Sequence, residues 1–134
     1  TTPFDAASCT KAFTALAAAQ LIEAGRLQWN TPLAALVPEL ALHDPWVAAR
    51  VTVLDALANR IGLARQLPVD YGFGPGIPAE ELLRRAAHVP FRAGFREGFA
   101  YSNVGFVAVA VAIERAAGQP LATIFRERIF EPLG

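Results

Sequence analysis

The ten residues from Val104 to Ile113 include no polar side chain and are interrupted only by Gly105, and this run limits what the chain can fold into. A segment that is apolar on every face has to be surrounded by protein. At ten residues it is half the length of about 20 that a bilayer span requires. Ser102 or Asn103 in front of it supplies an N-cap, and Gly118 behind Ala117 supplies a stop, so a helix buried at the centre of the fold is expected.

The remaining elements have to pack around that helix, and their patterns are helical too. Phe13, Leu16, Ala17, Leu21 and Ala24 follow the i, i+3, i+4 rule, with Gln20 the one polar exception, which predicts a helix from about Ser8 to Ala24 ended by Gly25. Residues 27–42, broken by Pro32 and Pro38, are expected to form a loop with short helical turns. Thr52 with Asp55 three residues on forms a capping box for a short helix to Ala58. Pro78 ahead of Glu80 and Glu81 marks another first turn, because the helix dipole favours acids there. Pro120 starts a last amphipathic helix through Leu121, Ile124, Phe125 and Ile129. No stretch alternates with period two; Val51–Val53 and Phe91–Phe95 are the places for a brief pairing. The chain is therefore expected to be mainly α and one domain over residues 1–134. Residues 72–76, Gly-Phe-Gly-Pro-Gly, mark an exposed loop that has neither the lysine nor the preceding strand of a phosphate cradle.

Composition removes several function classes. Twelve basic and twelve acidic residues cancel, and the longest basic run is Arg84-Arg85, so nucleic acid is not an expected partner. The single Cys9 forms no internal disulfide, and with His43 and His88 it makes no spaced ligand set, so a metal site is not expected. The opening Thr1-Thr2-Pro3-Phe4 has no initiator methionine and no signal-like stretch, so a cut start is expected and the compartment stays open, periplasmic, secreted or cytoplasmic.

Against eleven arginines the chain has one lysine, Lys11, and it stands three residues after Ser8, one of only two serines. Arginine stays protonated at any working pH, whereas a lysine desolvated beside a hydroxyl can lose its proton and act as a base. On a helix, positions i and i+3 share a face about 5–6 Å apart at Cβ. Ser8-Cys9-Thr10-Lys11 thus has the makings of an activated nucleophile. Taken alone, the same spacing describes an N-cap followed by a solvated lysine. A second constellation, Tyr101-Ser102-Asn103, stands at the entrance to the apolar helix. A tyrosine there can share a proton with Lys11, and the asparagine amide can hold a substrate carbonyl or the lysine itself. By itself that tripeptide is a turn and a cap; the two constellations together favour chemistry.

These residues resemble those of a known group. Phe4-x-x-Ala7-Ser8-x-Thr10-Lys11-x-Phe13-Thr14-Ala15-Leu16, Leu21-x-Glu23-x-Gly25-x-Leu27, Pro32-Leu33, Leu36-x-Pro38-Glu39, Phe91-x-x-Gly94, Tyr101-Ser102-Asn103-x-Gly105-Phe106, Glu114-x-x-x-Gly118 and Ile129-Phe130-x-Pro132-Leu133-Gly134 are similar in order and spacing to the serine β-lactamase-related superfamily. The branch in question holds class C β-lactamases, D-Ala-D-Ala carboxypeptidases, D-aminopeptidases and β-lactamase-like esterases. The resemblance implies acyl transfer through a covalent acyl-enzyme, with Ser8 as nucleophile, Lys11 as its proton acceptor, Tyr101 as the second base and Asn103 as a substrate contact. It implies no metal and no cofactor.

The chain departs from that pattern at three places. Ala93-Gly94 stands where Pro-Gly is frequent. Asn59 and Ile61 stand where the branch commonly has histidine and serine in Leu-Leu-x-His-x-Ser-Gly-Leu. Family members also continue into a β-sheet that carries a third motif and the second oxyanion-hole N–H. The chain is accordingly expected to be the helical subdomain of a β-lactamase/transpeptidase-like α/β fold, an apparent fragment of a longer serine hydrolase, packing against a sheet region absent from this chain. An ester or D-amino-acid amide substrate is expected, ahead of a true β-lactamase or D,D-peptidase; the competing class is a non-catalytic binding homologue. Cys9 is expected to be a small buried helix residue, His43 and His88 loop or helix-end residues, Trp29 and Trp46 packing residues, and Arg84-Arg85 a solvated face.

Overall fold

A computed structural model describes Thr2, residues 4–65 and residues 77–134; the glycine-rich segment 72–76 lies outside the described residues. Among the described residues the helices are α1 (Thr10–Glu23), α2 (Leu33–Leu36), α3 (Pro45–Ala48), α4 (Val53–Leu57), α5 (Ala79–Arg85), α6 (Asn103–Ala117), α7 (Leu121–Phe125) and α8 (Glu131–Leu133), with 3₁₀ turns at Ala7–Cys9 and Ala86–His88 and a π-helical turn at Arg126–Phe130. Among the described residues the only β pairing is two isolated antiparallel bridges, Pro32 with Thr52 and Leu63 with Phe91, each with one partner in a segment where brief pairing was expected. The structure is mainly helical.

The apolar run is the hub. α6 contacts α1, α2, α4, α5 and α7, and Val104, Ala108, Val109, Ala112 and Ile113 are buried within it. Its ends are those the sequence marked: Ser102 Oγ accepts the Val104 N–H at 3.3 Å, and Gly118 closes the helix in the left-handed region at φ 68°. Gly105 is explained by α4. A Cβ there would stand 3.2 Å from the Ala56 carbonyl oxygen and 3.2 Å from Ile61 Cδ1, so glycine lets the two helices approach.

Two expected details are corrected. The buried stripe of α1 is Thr14, Ala17, Ala18 and Leu21, while Leu16 is 44% exposed and Ala24 is exposed. Five alanines in α1 blur the apolar face, and the packing on α6 decides it. The last helical segment is not one regular helix, because a π turn joins α7 to α8. Pro132 has no N–H for the Arg128 carbonyl four residues back, and Gln20 Nε2 of α1 donates there at 3.3 Å instead. Phe13 sits edge-on to Phe125 and Phe130 at 6.2 and 5.2 Å, fixing that segment on α1. The helix α3 was not expected, although Asp44 capping the Trp46 N–H at 2.8 Å ahead of Pro45 at N1 was a readable signal.

The capping box at Thr52 and Asp55 forms as the sequence predicts, and it also roots an ion cluster. The fully buried Asp55 takes Arg60 at 2.8 Å and Arg96 at 2.7 Å, together with the Thr52 hydroxyl at 2.7 Å. Burial by itself pushes this carboxyl up; the hydrogen bonds from Arg96, Thr52 and Arg60 outweigh it and bring the group from 3.8 to about 2. Because the folded value is depressed, the stabilisation is complete above the ordinary value of 3.8 and is lost as pH falls from there toward 2. Asp55→Asn is expected to cost about 1.5–3 kcal/mol at neutral pH, the worth of one charged hydrogen bond, and to flatten the acid limb of a urea-unfolding series; an unchanged midpoint would show that the cluster contributes nothing.

Candidate active site

Ser8 enters the site from the 3₁₀ turn Ala7–Cys9, which runs directly into α1. Ahead of it Ala7 is held at φ 43°, in the left-handed region that residues with a Cβ seldom adopt, and Asp5 Oδ1 accepts the Ala7 N–H at 2.7 Å to brace it. Backbone strain of this kind costs on the order of 1–3 kcal/mol and is concentrated at functional sites. One turn further on, Lys11 rises from the same face, and its Nζ donates to Ser8 Oγ at 3.1 Å. From the far end of the sequence, Tyr101 OH lies 2.8 Å from the same Oγ. Two protonatable groups, 90 residues apart in the chain (101 − 11), therefore meet on one hydroxyl.

The Lys11 ammonium also sits over two rings, 4.9 Å from the Tyr101 centroid and 5.3 Å from that of Phe106. The Arg65 guanidinium stands 5.9 Å from the Tyr101 ring. The Tyr101 hydroxyl is drawn below its ordinary value of 10.0 by the Lys11 hydrogen bond first and the Ser8 hydrogen bond second, with the charges of Lys11 and Arg65 acting in the same direction against burial. Such a phenol is a better proton acceptor near neutrality than a free tyrosine. Asn103, at the first position of α6, lines a cleft of about 620 Å³ together with Asp5, Ser8 and Lys11; Phe106, Val107, Ala110 and Leu121 add apolar surface to it.

The four residues singled out in the sequence, Ser8, Lys11, Tyr101 and Asn103, thus lie around one region. The pattern reading missed Phe106 and Arg65: Phe106 reaches Lys11 because it lies one turn beyond Asn103 on α6, whereas nothing local marks Arg65. Cys9, expected to be buried, is an exposed free thiol, since it belongs to the turn ahead of α1 and not to its packed stripe. Trp29 and Trp46 are also exposed, at 42% and 56%; Trp46 stacks edge-on with Phe95 at 6.2 Å, away from the cleft lining. His43 and His88 are exposed, His88 at the end of a 3₁₀ turn. Arg84 and Arg85 are exposed and pair with Glu81. Among the described residues no group of three or more His, Cys, Asp or Glu is placed to hold a metal ion, and no single helix is long and apolar enough to cross a membrane.

Comparison with known proteins finds relatives of this chain among hydrolases. The chain is 32% identical to the unguisins hydrolase ungD' of Aspergillus campestris, over 99% of its own length and 26% of that protein's. It is 33% identical to esterase EstB of Burkholderia gladioli, over 99% of its length and 37% of the esterase. Its fold superposes on the crystal structure of a D-stereospecific amidohydrolase from Streptomyces sp. with a TM-score of 0.82 at 25% identity, covering 97% of this chain and 42% of that one. The chain therefore spans between about a quarter and two-fifths of the proteins it matches. Its relatives are hydrolases, and the family model for Beta-lactamase matches residues 1–134. With that match over its whole length, the chain belongs to the beta-lactamase family, in the serine β-lactamase/transpeptidase-like superfamily.

Proposed function

We propose that Ser8 is the nucleophile of an acyl-transfer hydrolase, with Lys11 and Tyr101 as its bases and Asn103 as a polar contact for the substrate. The observation that carries this reading is the convergence of Lys11 Nζ and Tyr101 OH on Ser8 Oγ at 3.1 and 2.8 Å, inside the hydrogen-bond reach that proton transfer needs. In the acylation step Ser8 Oγ attacks the substrate carbonyl carbon while Lys11 accepts the hydroxyl proton. The C–O or C–N bond of the substrate then breaks, and the proton passes by way of Tyr101 to the leaving alcohol or amine. Water, giving a proton to Tyr101, attacks the acyl-enzyme; the bond from the acyl carbon to Ser8 Oγ breaks, the proton returns to Oγ and the acid leaves. The Ser8 N–H, at the start of a helical segment, supplies one oxyanion donor. Removing one such donor typically costs about 10²–10³ in turnover.

The substrate class that fits is an ester or a D-amino-acid amide. Phe106, Val107, Ala110 and Leu121 offer apolar surface for a side group in a cleft that Asp5 and Lys11 also line, and the names of the relatives include an esterase and a D-stereospecific amidohydrolase. A fluorophosphonate probe tests the reading directly. Intact-mass and peptide analysis should find one adduct, on Ser8, absent from Ser8→Ala. An unlabelled protein, or labelling that persists in Ser8→Ala, would refute the assignment.

A further inference from the structure

Asn59 is not among the residues that line the cleft, yet it holds the backbone on both sides of Tyr101. Its main-chain carbonyl accepts the Ala100 N–H at 2.8 Å, and its side-chain Oδ1 accepts the Ser102 N–H at 3.1 Å. Tyr101 lies between them, so a single residue holds the Phe99–Ala100 peptide one residue before it and the Tyr101–Ser102 peptide directly after its Cα. Ser102 then caps α6 through Val104. The bracket is buried: Asn59 is 8% exposed and Ser102 4%, so water does not stand in for either bond. The conformation of Asn59 itself restricts the choice of residue. At φ 53° it occupies the left-handed region, which asparagine, aspartate and glycine tolerate better than other residues. Of these only the first two also carry a side-chain carbonyl to accept the Ser102 N–H.

We propose that Asn59 is a positioning residue for Tyr101: by clamping Ala100 and Ser102 it holds the phenol on Ser8 Oγ. The inference rests on the reading of Tyr101 as a base for Ser8. Its physical basis is leverage, since the phenol oxygen lies at the end of a long rigid side chain and a small rotation of the backbone moves it far. A misplacement of about 1 Å at a reacting group costs about 10²-fold in rate.

A double-mutant cycle in the intact protein tests it, with p-nitrophenyl ester hydrolysis as the readout. Asn59→Gly keeps the backbone conformation and removes the carbonyl; it should lower kcat by about 10–10² with KM changed less than about threefold. Asn59→Asp keeps both and should stay within about tenfold of wild type. Once Tyr101→Phe has removed the group being positioned, Asn59→Gly should cost less than about threefold more. If the glycine variant does not fold, amide hydrogen exchange at the Ser102 N–H of the wild-type protein takes its place: protection supports the clamp, and exchange as fast as an exposed amide would overturn it. Equal losses from the Asn59 change in both backgrounds, a loss carried by KM, or an aspartate variant as impaired as glycine would each overturn the proposal. Wild-type turnover by Tyr101→Phe alone is read in a separate arm. It would refute the role of Tyr101, and with it the reason for the clamp.

Discussion

Exchanging Lys11 for arginine in the intact protein is expected to lower the rate of Ser8 acylation by about 10²–10⁴, the usual worth of a general base. The substitution isolates one property. Arginine keeps a positive charge beside Tyr101 and Phe106, where Lys11 now sits 4.9 and 5.3 Å from the ring centroids, and it keeps donors for Ser8 Oγ. It cannot take a proton, because guanidinium remains charged at every working pH. Single-turnover labelling by a fluorophosphonate, followed by mass, separates this step from later ones. Acylation at near wild-type rate by Lys11→Arg would remove Lys11 from the mechanism and leave its contact with Ser8 a structural one.

Tyr101→Phe is expected to produce a different defect of similar size, with turnover falling by about 10²–10⁴. Here the later step suffers most, since water has lost the base that takes its proton, so acyl-enzyme should accumulate on Ser8 and be visible as a mass increase after a burst of product. The pH dependence supplies a second test. The Tyr101 hydroxyl is depressed below 10.0, chiefly by its hydrogen bonds with Lys11 and Ser8, so the limb of the pH–rate profile that it controls should rise through a midpoint under that value and vanish in the phenylalanine variant. A profile with the same limb in Tyr101→Phe would assign it to another group.

Much of this site was legible before any fold was known, and the reason is local. Ser8 and Lys11 are three residues apart, and helix geometry alone places them on one face. Once a helix was expected there, the contact now seen at 3.1 Å followed. The capping box at Thr52 and Asp55 and the stop at Gly118 were legible for the same reason, because each depends on residues within one turn. The apolar run predicted the burial of most of its length, while Phe106, Val107 and Ala110 line the cleft.

Long-range pairings were not legible. Arg60 follows Asp55 by five residues and Arg96 by 41, and no pattern in the chain says that both end on one buried carboxylate. The stripe that α1 buries was misread because a run of alanines gives hydrophobic burial little to choose between; contact with α6 and the Phe13–Phe125–Phe130 cluster decides it. The resemblance to a family put Tyr101 with Ser8, but the hold that Asn59 keeps on Ala100 and Ser102 comes only from the fold. What the sequence determined by itself is the longer helices, the Thr52–Asp55 capping box, the Gly118 stop and the Ser8–Lys11 pair, all governed by backbone geometry over a few residues. What only the tertiary structure decided is which distant groups share a buried space, since burial makes a polar atom find a partner without regard to its distance along the chain.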